Sequence, residues 1–205
     1  MRKHLFLAII GAGMAIFGFF LILPAQAAQD TVSLSTTVQE YLSFSITTGD
    51  TVAFGNLTPG TPIAAPNTGT IASVTTNAAN GYTLAVHDGV AASGSCLLHT
   101  DTTTRIADYA GTIETPTSWT GTGLGITLYA ADTNKEAKWG TGTTYNDPNN
   151  KYAGIPQNAT TAHTVTGYHS GADTSSWAYK IDVPNTQKTG SYSGEMTFTA
   201  TAVLS

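Results

Sequence analysis

Charge and cysteine are both scarce in this sequence. Lys, Arg, Asp and Glu make up 10% of its 205 residues, against about a quarter in soluble globular domains. Exposed helix faces draw on those straight-chain charged residues, so a helical fold is disfavoured. Eight basic against thirteen acidic residues give a net charge of −5. No basic surface is available to hold a phosphate backbone, which argues against nucleic acid as a partner. The single cysteine, Cys96, forbids an internal disulfide, so packing alone must hold the domain. Its setting, Ser95-Cys96-Leu97-Leu98, is that of a small buried residue. Internal repeats, a domain-length linker and convincing helical periodicity are also missing. The sequence has no G-x-S-x-G elbow, no H-E-x-x-H pair and no LPxTG-type sorting signal, and no constellation in it supports catalysis.

What is abundant is threonine, 37 residues, and glycine, 21 residues. Thr fits a pleated strand and Gly the tight turns between strands, so the composition predicts an all-β protein. The chain opens with Arg2 and Lys3, an uncharged stretch from Leu5 to Leu23, then Pro24 and Ala25-Gln26-Ala27. These are the three parts of a secretory signal peptide over residues 1–27, with the mature chain starting at Ala28. Left uncleaved, the same run is near the length that spans a bilayer. Cys96 lies far beyond it, so no thiol at the cleavage point could take a lipid. The expected location is outside the cell, at its surface.

Period-two alternation recurs along the mature chain, and it predicts strands at Val32 to Val38, Leu42 to Ile46 and Val52 to Phe54. Ile71 to Thr76 and Tyr82 to His87, joined by Asn77-Ala78-Ala79-Asn80-Gly81, read as a hairpin. Trp177, Tyr179, Ile181 and Val183 alternate with Ala178, Lys180 and Asp182. Tyr192, Gly194, Met196, Phe198, Ala200 and Ala202 then alternate with outward Ser193, Glu195, Thr197, Thr199 and Thr201, as an antiparallel partner of the preceding strand. About eight such runs without intervening helices predict a single antiparallel Greek-key β-sandwich, jelly-roll-like, over residues 28–205. An irregular insertion is expected over residues 132–166, where Gly, Thr, Asn and Pro dominate.

Candidate chemistry is sparse. His87, His99, His163 and His169 lie in the mature chain without a metal-ligand spacing. Asp132, Asn134 and Glu136 place oxygens at alternate positions, as a calcium loop begins. Ala137 and Thr143 then stand where that loop needs Gly and a bidentate carboxylate, so a polar turn is expected and no metal or other cofactor is assigned. Trp119 and Trp139, with Tyr129 and Tyr145, are the ligand-binding candidates, since exposed rings stack on sugars. Trp177 belongs to the core by its alternation.

Phe54-Gly55-Asn56-Leu57-Thr58-Pro59-Gly60, Asn80-Gly81-Tyr82-Thr83-Leu84-Ala85-Val86, Ile181-Asp182-Val183-Pro184 and Gly190 to Phe198 together resemble the layout of WxL-type bacterial surface domains. That resemblance implies non-covalent association with the cell wall. Leu128-Tyr129-Ala130-Ala131-Asp132, Trp139-Gly140-Thr141-Gly142-Thr143 and the terminal Gly190-Ser191-Tyr192 strand are similar to spore-coat-U-like pilin domains of chaperone–usher systems. Those assemble by strand addition, and Thr31 to Val38 has the alternation to complete a neighbour's sheet; the simpler expectation is that it completes its own. The sequence thus predicts a secreted, non-catalytic bacterial surface protein with a structural or adhesive role. Its expected partners are a cell-wall polymer, a glycan or other surface proteins, with self-assembly and carbohydrate binding as alternatives.

Overall fold

The computed structural model describes residues 29–88 and 96–204 and is all-β; apart from one 3-10 turn, Ala137–Trp139, these residues contain no helix. The leader expected over residues 1–27 lies outside the described residues. The chain divides into two compact units, Met1–Val38 and Gln39–Ser205.

In the second unit the strands are β1 Leu42–Thr48, β2 Ile63–Thr76, β3 Tyr82–Asp88, β4 Leu97–His99, β5 Arg105–Ile106, β6 Thr117–Ser118, β7 Gly123–Ala131, β8 Lys151–Gly154, β9 Thr160–Val165, β10 Ala172–Asp182, β11 Tyr192–Ser193 and β12 Met196–Ala202. A six-stranded sheet runs β1-β2-β10-β7-β8-β6, a three-stranded sheet runs β12-β3-β9, and a small third sheet runs β11-β4-β5. The pairs within them are antiparallel, and the sheets pack face to face as a β-sandwich.

The core is the layer between the sheets. Trp177, Tyr179 and Ile181 of β10 point into it as their alternation predicts, and Ala72 and Val74 of β2 join them from the same sheet. Tyr82, Leu84 and Val86 of β3 face them from the other side. Trp177 has no exposed surface; its ring meets Phe198 of β12 at 5.4 Å and Trp139 at 5.7 Å, both edge to face. Both indole N–H groups are satisfied, Trp177 donating to Ser175 Oγ at 2.9 Å and Trp139 to the Ala162 carbonyl at 3.1 Å. Without those partners, burying each ring would strand a polar atom.

Several expected connections differ. Asn77–Gly81 turns the chain, with the Gly81 N–H on the Ala78 carbonyl, but it is no hairpin: β2 pairs with β1 and β10, whereas β3 pairs with β12 and β9. The buried faces of β2 and β3 oppose each other across the core, so the turn is an arch from one sheet to the other. Likewise β12 is not the partner of β10. Both edges of β10 are taken by β2 and β7, and the last strand crosses to β3. Val52 and Phe54 are half-buried as their alternation implies but lie outside any strand. The stretch over residues 132–166 is only partly irregular, since β8 and β9 fall inside it. Their Thr-, Ala- and Gly-rich segments give a faint apolar alternation.

Residues 31–38 form no strand and complete no sheet of this copy. The β1–β2 ladder stops at Leu42↔Thr76. Beyond it the Asn77 side chain substitutes for the ladder, accepting the Tyr41 N–H at 2.7 Å and donating to the Gln39 carbonyl at 2.8 Å.

The arch depends on Gly81. Its φ is +83°, and a Cβ there would lie 2.0 Å from the Val165 carbonyl oxygen, so Gly81→Ala meets both backbone strain and a clash. We expect it to destabilise the fold by about 2–3 kcal/mol, read as a lowered thermal midpoint, while Gly60→Ala, in open space on the surface, shifts it by less.

Candidate functional site

The aromatic candidates do not share a face. Trp139 is fully buried and offers no ring surface to a sugar. Trp119 is half-buried over the larger sheet, stacked on Tyr109 at 4.3 Å and meeting the Tyr152 edge at 5.4 Å. Lys180 caps this group, its ammonium 5.4 Å from the Trp119 and Tyr152 rings, and burial holds it below the ordinary lysine range. Tyr129, half-buried on β7, donates to the Thr68 carbonyl at 3.3 Å beside Gly69. Tyr145 is half-buried in the loop before β8. No ring contact joins any two of Trp119, Trp139, Tyr129 and Tyr145.

The oxygen ligands proposed for calcium also part company. Asp132 Oδ2 accepts the Thr174 N–H at 2.9 Å and hydroxyl at 2.7 Å. Asn134 is exposed with φ +52°. Glu136 turns inward, accepting from His163 Nδ1 at 2.9 Å and the Thr164 N–H at 2.7 Å. Burial opposes its charge, but these two donors and the imidazole prevail and hold the carboxyl below its usual range. Among the described residues no three His, Cys, Asp or Glu side chains are grouped to hold a metal ion.

Histidines serve as structural ties. His99 accepts the Asp101 N–H on Nδ1 at 3.0 Å and faces the Thr189 carbonyl through Nε2 at 3.2 Å. It thereby clasps the loop before β11 to the loop after β4. Asp101 itself takes Lys188 at 2.8 Å and the Thr104 hydroxyl and N–H, which hold its carboxyl well below the usual range.

The feature that stands apart is the seam between the sheets. β1 and β12 are the edge strands of the two main sheets on one side of the sandwich, and they approach without pairing. Between them runs a groove of about 410 Å³ with Ile46 on one rim, Met196 and Phe198 on the other, and Cys96, Leu124, Ile155 and Tyr179 in its floor. Phe44, Ile46, Val52, Phe54, Met196 and Phe198 pack on the core but remain half-buried along this seam. The core is open here.

The strand edges differ in how they are guarded. β6, β5 and β11 are two residues long, β1 is bulged between Ile46 and Thr48, and the β3–β9 pairing is irregular at Leu84/Ala85. β12 alone among the described edges is long and regular, seven residues paired in unbroken register with β3. It carries no charge, proline or bulge, the devices by which edges are kept from recruiting another strand. In the first compact unit, residues 29–38 are exposed and lie outside any strand, with Val32 at 83%, Leu34 at 92% and Val38 at 78% exposure. Sequence reading found the alternation at both places but not the groove, because it paired β12 with the wrong strand.

Two groups are electrostatically unusual, Cys96 in the groove floor and Asp108 in a neighbouring cleft. Burial, with Asp108 and Asp88 nearby, pushes the Cys96 thiol up to about 12, so it stays protonated and is a poor nucleophile. Asp108 is raised to about 7, by burial first and the Asp88 charge second, against hydrogen bonds from the Cys96 and Ile155 N–H groups.

Comparison with known proteins gives no match: no family model, no curated protein and no solved structure is significantly similar to this chain.

Asp108 makes stability pH-dependent. Between its unfolded value near 4 and about 7 the folded chain holds a proton that the unfolded chain releases. Its contribution is therefore present in acid and is lost as pH rises through 7. We expect wild type to lose more unfolding free energy between pH 5 and 8 than Asp108→Asn, compared by urea denaturation at each pH.

Proposed function

We propose that this protein is a secreted, non-catalytic structural protein of the bacterial cell surface whose copies join by strand addition. Residues 31–38 of one copy lie in the groove of the next, hydrogen-bonded along β12. The observation that carries this reading is the unguarded β12 edge bordering a groove with an apolar floor, in a chain that also bears a segment outside any strand with exposed Val32, Leu34 and Val38. The added strand would supply backbone partners to β12 and alternate apolar side chains to the groove. Lengths agree: eight extended residues reach about 26 Å, and the seven of β12 about 23 Å. Export, from the leader-like residues 1–27, would place such assemblies outside the cell. The likeness to WxL-type and spore-coat-U-like domains supports a surface role.

The test is light scattering on the chain from Ala28 over a range of concentrations. Wild type should form oligomers that grow with concentration. Removing residues 28–38 should leave a monomer. Leu34→Asp should weaken association at least about tenfold, the cost of losing one buried leucine, with an unchanged thermal midpoint of the isolated copy, since Leu34 is exposed there. A wild-type chain that stays monomeric at its highest soluble concentration rules the reading out.

A further inference from the structure

Exposed apolar side chains are gathered at one end of the sandwich. In the second unit the large hydrophobic residues left exposed, among the described residues, are Tyr41, Leu42, Tyr168 and Leu204. All four lie beside the arch, residues 77–81. Tyr41 is tied to Asn77 twice, its N–H donating to Oδ1 at 2.7 Å and its carbonyl accepting the Asn77 N–H at 3.2 Å. Leu42 pairs with Thr76, the last residue before the arch. The Leu204 carbonyl accepts the Asn80 side-chain amide at 3.0 Å, and the Val203 N–H donates to the Gly81 carbonyl at 2.8 Å. Tyr168 stands one residue after Gly167, whose carbonyl oxygen would be 3.0 Å from a Cβ on Gly81. Neither the arch nor the loop of residues 166–171 contains Lys, Arg, Asp or Glu, and the charge that flanks them is Glu40. Such tyrosine-bearing, charge-poor ground has the composition of an interface centre.

The same end is where the added strand leaves its own copy. Residues 31–38 run into Gln39, whose carbonyl accepts the Asn77 side-chain amide at 2.8 Å. From Val38 to Tyr41 the chain reaches about 10 Å at most. With Val38 seated in a neighbour's groove, no slack remains and the arch must come against that neighbour. We infer that the arch end is the second half of the joint between copies: Tyr41, Tyr168 and Leu204 are buried on a second copy of this chain, beside the mouth of its groove. This inference rests on the strand-addition reading above and adds the surface that orients one copy on the next. A strand carried by a folded body then binds better than the same strand free, because the second contact forms at high effective concentration once the first is made.

The test separates the strand from the body that carries it. A fluorescent synthetic peptide of residues 29–40 is titrated into the Leu34→Asp chain from Ala28, whose own segment is disabled, with and without Tyr168→Ser and Leu204→Ser. The peptide brings no arch, so it should bind both acceptors equally. In light scattering on the chain with its native segment, Tyr168→Ser and Leu204→Ser together should weaken association at least about tenfold, the loss of two partly buried side chains. Both residues are more than half exposed in the single copy, at 66% and 55%, so the thermal midpoint should stay where it is. Tyr168→Ser alone should give an intermediate loss, a reading that stands even where the double variant melts early. Association as tight as wild type in these variants, with peptide binding intact, overturns the joint and leaves strand addition standing. Absence of peptide binding overturns strand addition and the joint with it.

Discussion

Two sheets with no disulfide between them must be held by side chains that cross the gap, and Trp177 does this from an interior strand of the larger sheet. Its indole touches Phe198 on β12 and Trp139 on the 3-10 turn, and its N–H is satisfied within its own strand. Phe198 is the only one of these three rings on an edge strand, so the fastening of β12 to the opposite sheet is made by side chains. The backbone of β12 is engaged on one side, by β3. Its other side is left free by the same arrangement.

That division between side-chain fastening and backbone pairing defines the groove. The residues along it, Phe44, Ile46, Met196 and Phe198, are core residues by contact and surface residues by exposure. A sandwich can close such a seam with one more strand, and residues 31–38 have the alternation of one but form no strand.

Much of the fold is legible in the sequence. The inward set Trp177, Tyr179, Ile181 and Val183, the burial of Cys96 and the outward threonines of β12 follow from period-two spacing, which fixes a face whatever the partner strand. Partners are not legible. The Asn80-Gly81 turn has the local chemistry of a hairpin, and only the competition of β1 and β10 for the edges of β2 makes it an arch. Of the candidate site, the alternation of residues 31–38 could be read, but Asp108 could not. Its character comes from Asp88, Cys96 and Ile155, which lie 20, 12 and 47 positions away in sequence and meet only in the folded chain. Trp139 looked like a loop residue because its neighbours are Lys138 and Gly140; a 3-10 turn is enough to swing it into the core.

The outer faces of the sandwich carry a further consequence. Thr197, Thr199 and Thr201 on β12 and Ser43, Ser45 and Thr47 on β1 point outward, and these faces present hydroxyl groups where other proteins present charges. Salt acts on contacts between proteins mainly by screening charge. Contacts made through such faces depend on hydrogen bonds and buried area, and will hold from fresh water to brine with little change.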